Sequence, residues 1–307
     1  MRGIFFILLF LMFSFLNMMQ TISWACACGC GVFDVGTSAM FPYGKGGTIW
    51  EEYDFMDQTH NWAKSSKASD DNNPDKQIRT SFINTGVQYM FNRHWGLEVE
   101  LPYDHRYFKT MNDGGDLGSF THSALGDMRI QGVYTGFSQD MSTGLIFGFK
   151  IPTGDWTYPN FDRDTELGTG STDALIGAYH RGAITSDNSF SYFLQDNLDQ
   201  PFLTQGGYRP GTENDAAVGI YYNGWSSAGI KVTPVAEVLN SYRSRDRGWA
   251  ADPTDSGYER VMLTPGLELD YKRAMIFFDV GFPVYQYTNG NQLVSSALYK
   301  VTVSYMF

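Results

Sequence analysis

Read back from its end, the chain alternates. Phe307, Tyr305, Val303, Val301 and Tyr299 share one parity, and Met306, Ser304, Thr302, Lys300 and Leu298 share the other. A period of two with one apolar face is the pattern of a half-buried β-strand. The run stops on an aromatic, leaving a bare strand edge that proteins in water avoid. A last strand that closes against the first strand of a membrane barrel, apolar face toward lipid, leaves no such edge. The closing strand of a soluble sandwich is the competing reading.

The alternation recurs upstream. Ile83, Thr85, Val87, Tyr89 and Phe91 oppose Asn84, Gly86, Gln88 and Met90. Trp95, Leu97, Val99, Leu101 and Tyr103 oppose Gly96, Glu98 and Glu100. Met128 and Ile130, then Leu145, Phe147, Phe149 and Ile151, form further apolar faces. So do Val261, Leu263, Leu267, Leu269 and Tyr271, and then Ala274, Ile276, Phe278, Val280 and Phe282. Less regular candidates lie near 46–56, 171–184, 189–198, 215–222 and 228–239. Short links at 92–94, 136–142, 185–188, 223–227 and 271–273 alternate with long polar ones at 57–78, 104–122, 152–170, 199–214 and 240–256. Tight periplasmic turns and extended outer loops alternate in this way in outer-membrane barrels. The expected fold is all-β: a single antiparallel transmembrane β-barrel of about twelve strands, roughly ten to fourteen, with both termini periplasmic.

The other end of the chain agrees. Arg2 precedes an almost unbroken apolar run from Ile4 to Met19, and Ser23 and Ala25 stand two apart, as in a cleavable leader. The expected organisation is a signal peptide over 1–25, a periplasmic or plugging segment over 26–45, and an outer-membrane barrel over 46–307. No other segment approaches the length of a helical span. Composition sharpens the picture. Charged residues are 18% of the chain, below the usual ~25%. Aromatics reach 16%, with 33 glycines, which suits lipid-facing girdles. The net charge of −11 argues against a nucleic-acid partner.

Candidate chemistry then divides by face. The inward parity carries Glu98, Glu100, Asp127, Arg129, Lys150, Lys231, Glu237, Arg260, Glu268, Asp270, Asp279 and Lys300, expected to line the lumen. Charges such as Arg129 and Lys150 are expected to set ion preference more than stability. Cys26, Cys28 and Cys30 can take a soft metal as thiolates, or two of them can pair as a disulfide in an oxidising compartment. Otherwise no cofactor is expected. Asp162, Asp164 and Glu166 resemble half of a calcium loop. Leu167 and Asp173 stand where that loop needs Gly and Glu, so a solvated acidic loop is the better reading. His122 and Ser123 are adjacent and so point to opposite faces of a strand, which argues against a Ser–His catalytic pair there. A Ser–His pair facing lipid would favour an enzyme.

One motif carries a resemblance. Ile151-Pro-Thr-Gly-Asp155, Glu166-Leu-Gly-Thr-Gly-Ser-Thr-Asp173 and Gly177 resemble the signature of the bacterial meta-pathway phenol-degradation protein family. These are outer-membrane barrel transporters distantly akin to long-chain fatty-acid channels. The resemblance implies passage of small, often hydrophobic or aromatic solutes and no degradative chemistry. The expected partners are the solute, outer-membrane lipid and, through Phe307, the barrel assembly machinery. The alternative is a barrel whose cysteine segment binds a soft metal or docks a redox partner.

Overall fold

The computed structural model describes residues 41–42, 44–71, 73–111 and 115–307. The leader and the three cysteines lie outside them. The described residues form β1 (Gly46–Lys64), β2 (Ser66–Lys67), β3 (Asp75–Met90), β4 (Trp95–Met111), β5 (Leu117–Leu125), β6 (Met128–Tyr134) and β7 (Thr143–Ile151). They continue with β8 (Ser171–Ala183), β9 (Phe190–Thr204), β10 (Glu213–Tyr222), β11 (Trp225–Ser227), β12 (Ile230–Arg243), β13 (Tyr258–Tyr271) and β14 (Ala274–Met306). Pairing is antiparallel throughout and closes a ring in the order β1-β3-β4-β6-β7-β8-β9-β10-β12-β13-β14 and back to β1. Three elements, β2, β5 and β11, flank this ring of eleven.

β14 crosses twice. At about 3.3 Å per residue, its 33 residues laid straight would far exceed a membrane's apolar thickness. Its first half, Ala274 to Thr288, pairs with β13, and its second half, up to Met306, pairs with β1. Met306 N donates to Arg273 O at 2.8 Å, so the halves form a hairpin whose tip holds Gly290 at φ 64°. β5 and β6 are conversely one crossing broken at Gly126–Asp127, since both pair with β4. With β14 counted as a hairpin and β5–β6 as one crossing, the ring has the twelve crossings that the alternation predicts.

The two faces are inverted relative to a protein in water. Leu97, Phe147, Leu263, Phe278 and Val303 point outward and are 41–48% exposed, while Glu98, Lys150, Glu268, Asp279 and Thr302 point inward and are 0–8% exposed. Exposed apolar and buried polar side chains on alternate positions mean that the outer solvent is lipid. Aromatics collect at the periplasmic rim. Trp95 meets Tyr134 at 4.7 Å between ring centroids, and Tyr222 meets Phe190 at 5.0 Å and Trp225 at 5.6 Å. Such a girdle marks the membrane interface. The barrel is an outer-membrane barrel.

Strands run further outward than the alternation predicts. Much of 57–78 and 104–122, expected as loops, is strand: Asp57 pairs with Arg79 and Lys109 with Ser119. Beyond lipid both faces meet water, so the apolar period fades while the backbone ladder continues. The loop over 152–170 remains irregular, as expected.

Candidate functional site

The lumen is built from the inward parity, and the loop 152–170 folds into its outer end. The break at Gly126–Asp127 anchors that loop. Asp127 accepts from Gly154 N at 3.0 Å, from Thr169 N at 2.8 Å, and from the Thr169 hydroxyl. Thr153 Oγ1 donates to Gly126 O at 3.0 Å and accepts from Met128 N at 2.9 Å. Gly168 N donates to Asp155 O at 2.7 Å. Gly154 and Gly168 touch backbone to backbone, and a Cβ on Gly168 would lie 2.4 Å from Gly154 C. The Pro-Thr-Gly-Asp and Gly-Thr-Gly-Ser segments are thus two halves of one latch. Asp127, expected as a lumen-lining charge, is its post.

From the latch the loop turns into the barrel. Phe161 and Leu167 pack with Ile78, Phe108 and Leu293 from the wall. Arg106 donates to Thr165 O at 2.5 Å, to Glu166 O at 3.0 Å and to Thr80 Oγ1 at 2.9 Å. His122 stacks on Tyr158 with centroids 4.1 Å apart and hydrogen-bonds Asp155 at 2.9 Å. Burial pushes the Glu166 carboxyl up to about 7. Asp155 lies below the usual range: its partial burial is outweighed by hydrogen bonds from Thr157 N and His122. The expected solvated acidic loop is therefore folded inward in part, because Leu167 and Phe161 flank its acids and need an apolar home. Among the described residues no set of three metal-ligating side chains converges.

Below the loop stand two ionic groups. Lys150 contacts Asp173 and lies 3.1 Å from Asp199, which is 3.7 Å from Arg129. Lys300 lies 3.1 Å from Glu52 and 3.8 Å from Asp54, and Thr302 Oγ1 donates to Glu52 at 3.1 Å. Glu237, Glu268 and Asp279 are buried on inward positions of the neighbouring strands, and Glu237 Oε1 has no hydrogen-bond partner. Lys231 and Asp270 meet at 4.0 Å near the periplasmic rim, and Arg260 lies 4.8 Å over Tyr258 near the outer one. Of the predicted charges, Arg129, Lys150, Lys231, Asp270 and Lys300 stand in ion pairs. Sequence reasoning missed Glu52, Asp54, Arg106, Asp173 and Asp199. The signal for Glu52 and Asp54 was present, since both share the even parity of Trp50 in the segment 46–56.

The inner end is occupied by the chain itself. Phe41, 4% exposed, stacks on Tyr179 at 4.6 Å and meets Phe193 at 5.6 Å. Arg181 donates to Pro42 O at 3.3 Å. Met56, Phe82, Met262, Met275, Phe277 and Leu298 extend the same apolar cluster along the inner wall. Between Phe41 and the ionic groups lies a small cavity, partly open to solvent, lined among others by Trp50, Gln88, Glu98, Glu100 and Gln131.

On the outer face, Ser123 Oγ and His105 Nδ1 lie 2.6 Å apart on paired positions of β5 and β4, both exposed.

No protein-family profile matches the chain, and no curated protein matches it in sequence. The fold has clear counterparts. An outer membrane channel from Pseudomonas putida F1 superposes with a TM-score of 0.66 over 89% of this chain and 100% of that one, at 13% identity. The beta domain of a Bordetella autotransporter gives a TM-score of 0.53 over 86% and 100% of the two chains, at 11% identity. The architecture is the outer-membrane β-barrel fold that the resemblance implies.

Proposed function

We propose that the protein is an outer-membrane channel for small, hydrophobic or aromatic solutes, closed at its outer end by the loop 152–170 and at its inner end by Phe41–Pro42. The observation that carries this reading is a lipid-facing closed barrel around a lumen of two textures. Apolar side chains, from Met56 and Phe82 to Phe277 and Leu298, share the lumen with the ionic groups, and Met56 and Leu298 stand beside Asp54 and Lys300 on the same two strands. The apolar side chains offer a path for solutes that shed little water, and the ion pairs cross-link the wall between them. The fold likeness to a protein described as an outer membrane channel supports the same reading. Conductance and swelling of liposomes carrying the purified protein, with solutes of graded size and polarity, test it. Solute entry at the rate of protein-free liposomes would overturn it.

A second reading follows from the Ser123–His105 contact, which faces outward near the outer interface and could activate a serine toward lipid esters. Loss of phospholipid hydrolysis in Ser123→Ala would establish it, and absence of hydrolysis by the native barrel would remove it. The soft-metal reading of Cys26, Cys28 and Cys30 rests on thiol spacing. Zn²⁺ titration of the full chain against a triple Cys→Ser variant tests it.

A further inference from the structure

The cavity below the ionic groups joins an aromatic side to an acidic one. Its aromatic side is Phe41, Trp50 and Tyr179, and its polar side includes Glu98, Glu100 and Gln195. Trp50 can face it because Gly86 leaves room: a Cβ there would sit 2.1 Å from the indole. Among the described residues no Lys or Arg lines this space. Lys300 pairs with Glu52 and Asp54, and Arg129, opposite Glu100 across the β4–β6 ladder, pairs with Asp199. Glu98 is held in place by the Gln88 amide at 2.6 Å and the Gln131 amide at 3.3 Å. Glu100 has the same inward parity and takes no hydrogen bond among the described residues. Gln195 is 4% exposed, and its Oε1 has no hydrogen-bond partner among the described residues.

Buried acceptors without donors are costly. A ligand that brings N–H donors and a positive charge answers Gln195 and the two acids, and aromatic faces attract the same group. We propose that this cavity is a binding site for small amphipathic organic cations, an ammonium or guanidinium group on an aromatic or short alkyl body. Glu100 and Gln195 receive the cationic end, while Phe41, Trp50 and Tyr179 receive the apolar body. The proposal rests on the channel reading and narrows its solute class.

Calorimetric titration of the full-length barrel in detergent with 2-phenylethylammonium, 2-phenylethanol and phenylacetate compares one shape in three charge states. The cation is expected to bind about tenfold tighter than the alcohol, a difference of about 1.4 kcal/mol, with phenylacetate weakest. Glu100→Gln is expected to abolish that preference while the alcohol binds as before, and Gln195→Leu to weaken the cation several-fold. Equal affinity for cation and alcohol in the native protein overturns the site without recourse to any variant. A preference that survives in folded Glu100→Gln overturns it too. Swelling of liposomes with solutes of graded size and polarity, measured on the same preparation, keeps the two readings apart. Entry without cation preference retains the channel and removes the site. Cation preference without entry retains the site and removes the channel.

Discussion

At the scale of single residues, the two parities of one strand should respond oppositely to charge. Phe147 and Lys150 lie three apart on β7, one toward lipid and one toward the lumen. Phe147→Lys is expected to cost roughly 2–4 kcal/mol near the bilayer midplane, read by urea unfolding. Parity alone would make Lys150→Glu a change of ion preference with little effect on stability. The structure overturns that expectation, because Lys150 sits between Asp173 and Asp199. Reversal would crowd three carboxylates, and loss of a partner in a buried ion group costs about 3–5 kcal/mol. Unfolding should therefore show both variants destabilised, with Lys231→Glu, at a half-exposed pair near the rim, as the mild comparison. Alternation shows which way a side chain points, but it is silent on what it meets across the lumen. Asp173 lay in the irregular strand candidate 171–184 and Asp199 at the start of the predicted loop 199–214, so the triad was invisible in the sequence.

Glu166 gives the loop a pH response whose sign is fixed by its burial. Its carboxyl is raised to about 7 when the loop is seated, against an ordinary value near 4.5 when the loop is free. A raised acid binds its proton more tightly in the seated state, so seating is favoured below about pH 4.5 and loses that advantage as pH climbs to about 7. Asp155 opposes its ionisation, whereas Arg163 and Arg106 favour it. Open-channel events should be rarer at pH 5 than at pH 8, and Glu166→Gln should flatten the difference. An unchanged slope in that variant would place the pH response elsewhere.

At the scale of elements, the latch around Asp127 joins a broken strand to a loop. Asp127→Ala leaves Gly154 N, Thr169 N and the Thr169 hydroxyl without their acceptor, at about 1–3 kcal/mol for each that stays buried. The ring of pairings on either side is untouched. The expected result is a folded barrel with greater conductance and faster protease cleavage within 156–167. Native conductance with native protease resistance would show that the apolar packing of Phe161 and Leu167 holds the loop alone. Much of this element was legible. The Pro-Thr-Gly-Asp and Gly-Thr-Gly-Ser segments stood out in the sequence, though as a resemblance rather than as two sides of one contact. β5 was not legible: its residues Ser119, Thr121 and Ser123 face outward from the outer interface upward, so no apolar stripe marks them as strand.

At the scale of the molecule, everything depends on closing the ring at the seam between β1 and the second half of β14. The terminal residue is part of that seam. Phe307 N donates to Gly47 O at 2.8 Å and Phe307 O accepts from Gly47 N at 3.0 Å, while its ring lies over Gly47 and 6.4 Å from Tyr89. The preceding ladder, from Thr48 with Met306 to Met56 with Leu298, then runs in one register. Without this seam both edges would face hydrocarbon with unpaired backbone groups, each costing several kcal/mol. Deleting Phe307 removes two backbone bonds and an interfacial aromatic. Phe307→Asp keeps the backbone bonds and puts a charge into the girdle instead. The amount of folded barrel in outer-membrane fractions, scored by its heat-modifiable mobility on gels, separates two contributions. If the ring at the interface is what matters, for the fold or for the assembly machinery that meets it, the two variants should lose folded protein alike. If the backbone closure dominates, deletion should be much the worse. Folded protein at native level in both variants would show that the ladder from Thr48 onward closes the barrel unaided, and that the terminal aromatic has no part in assembly.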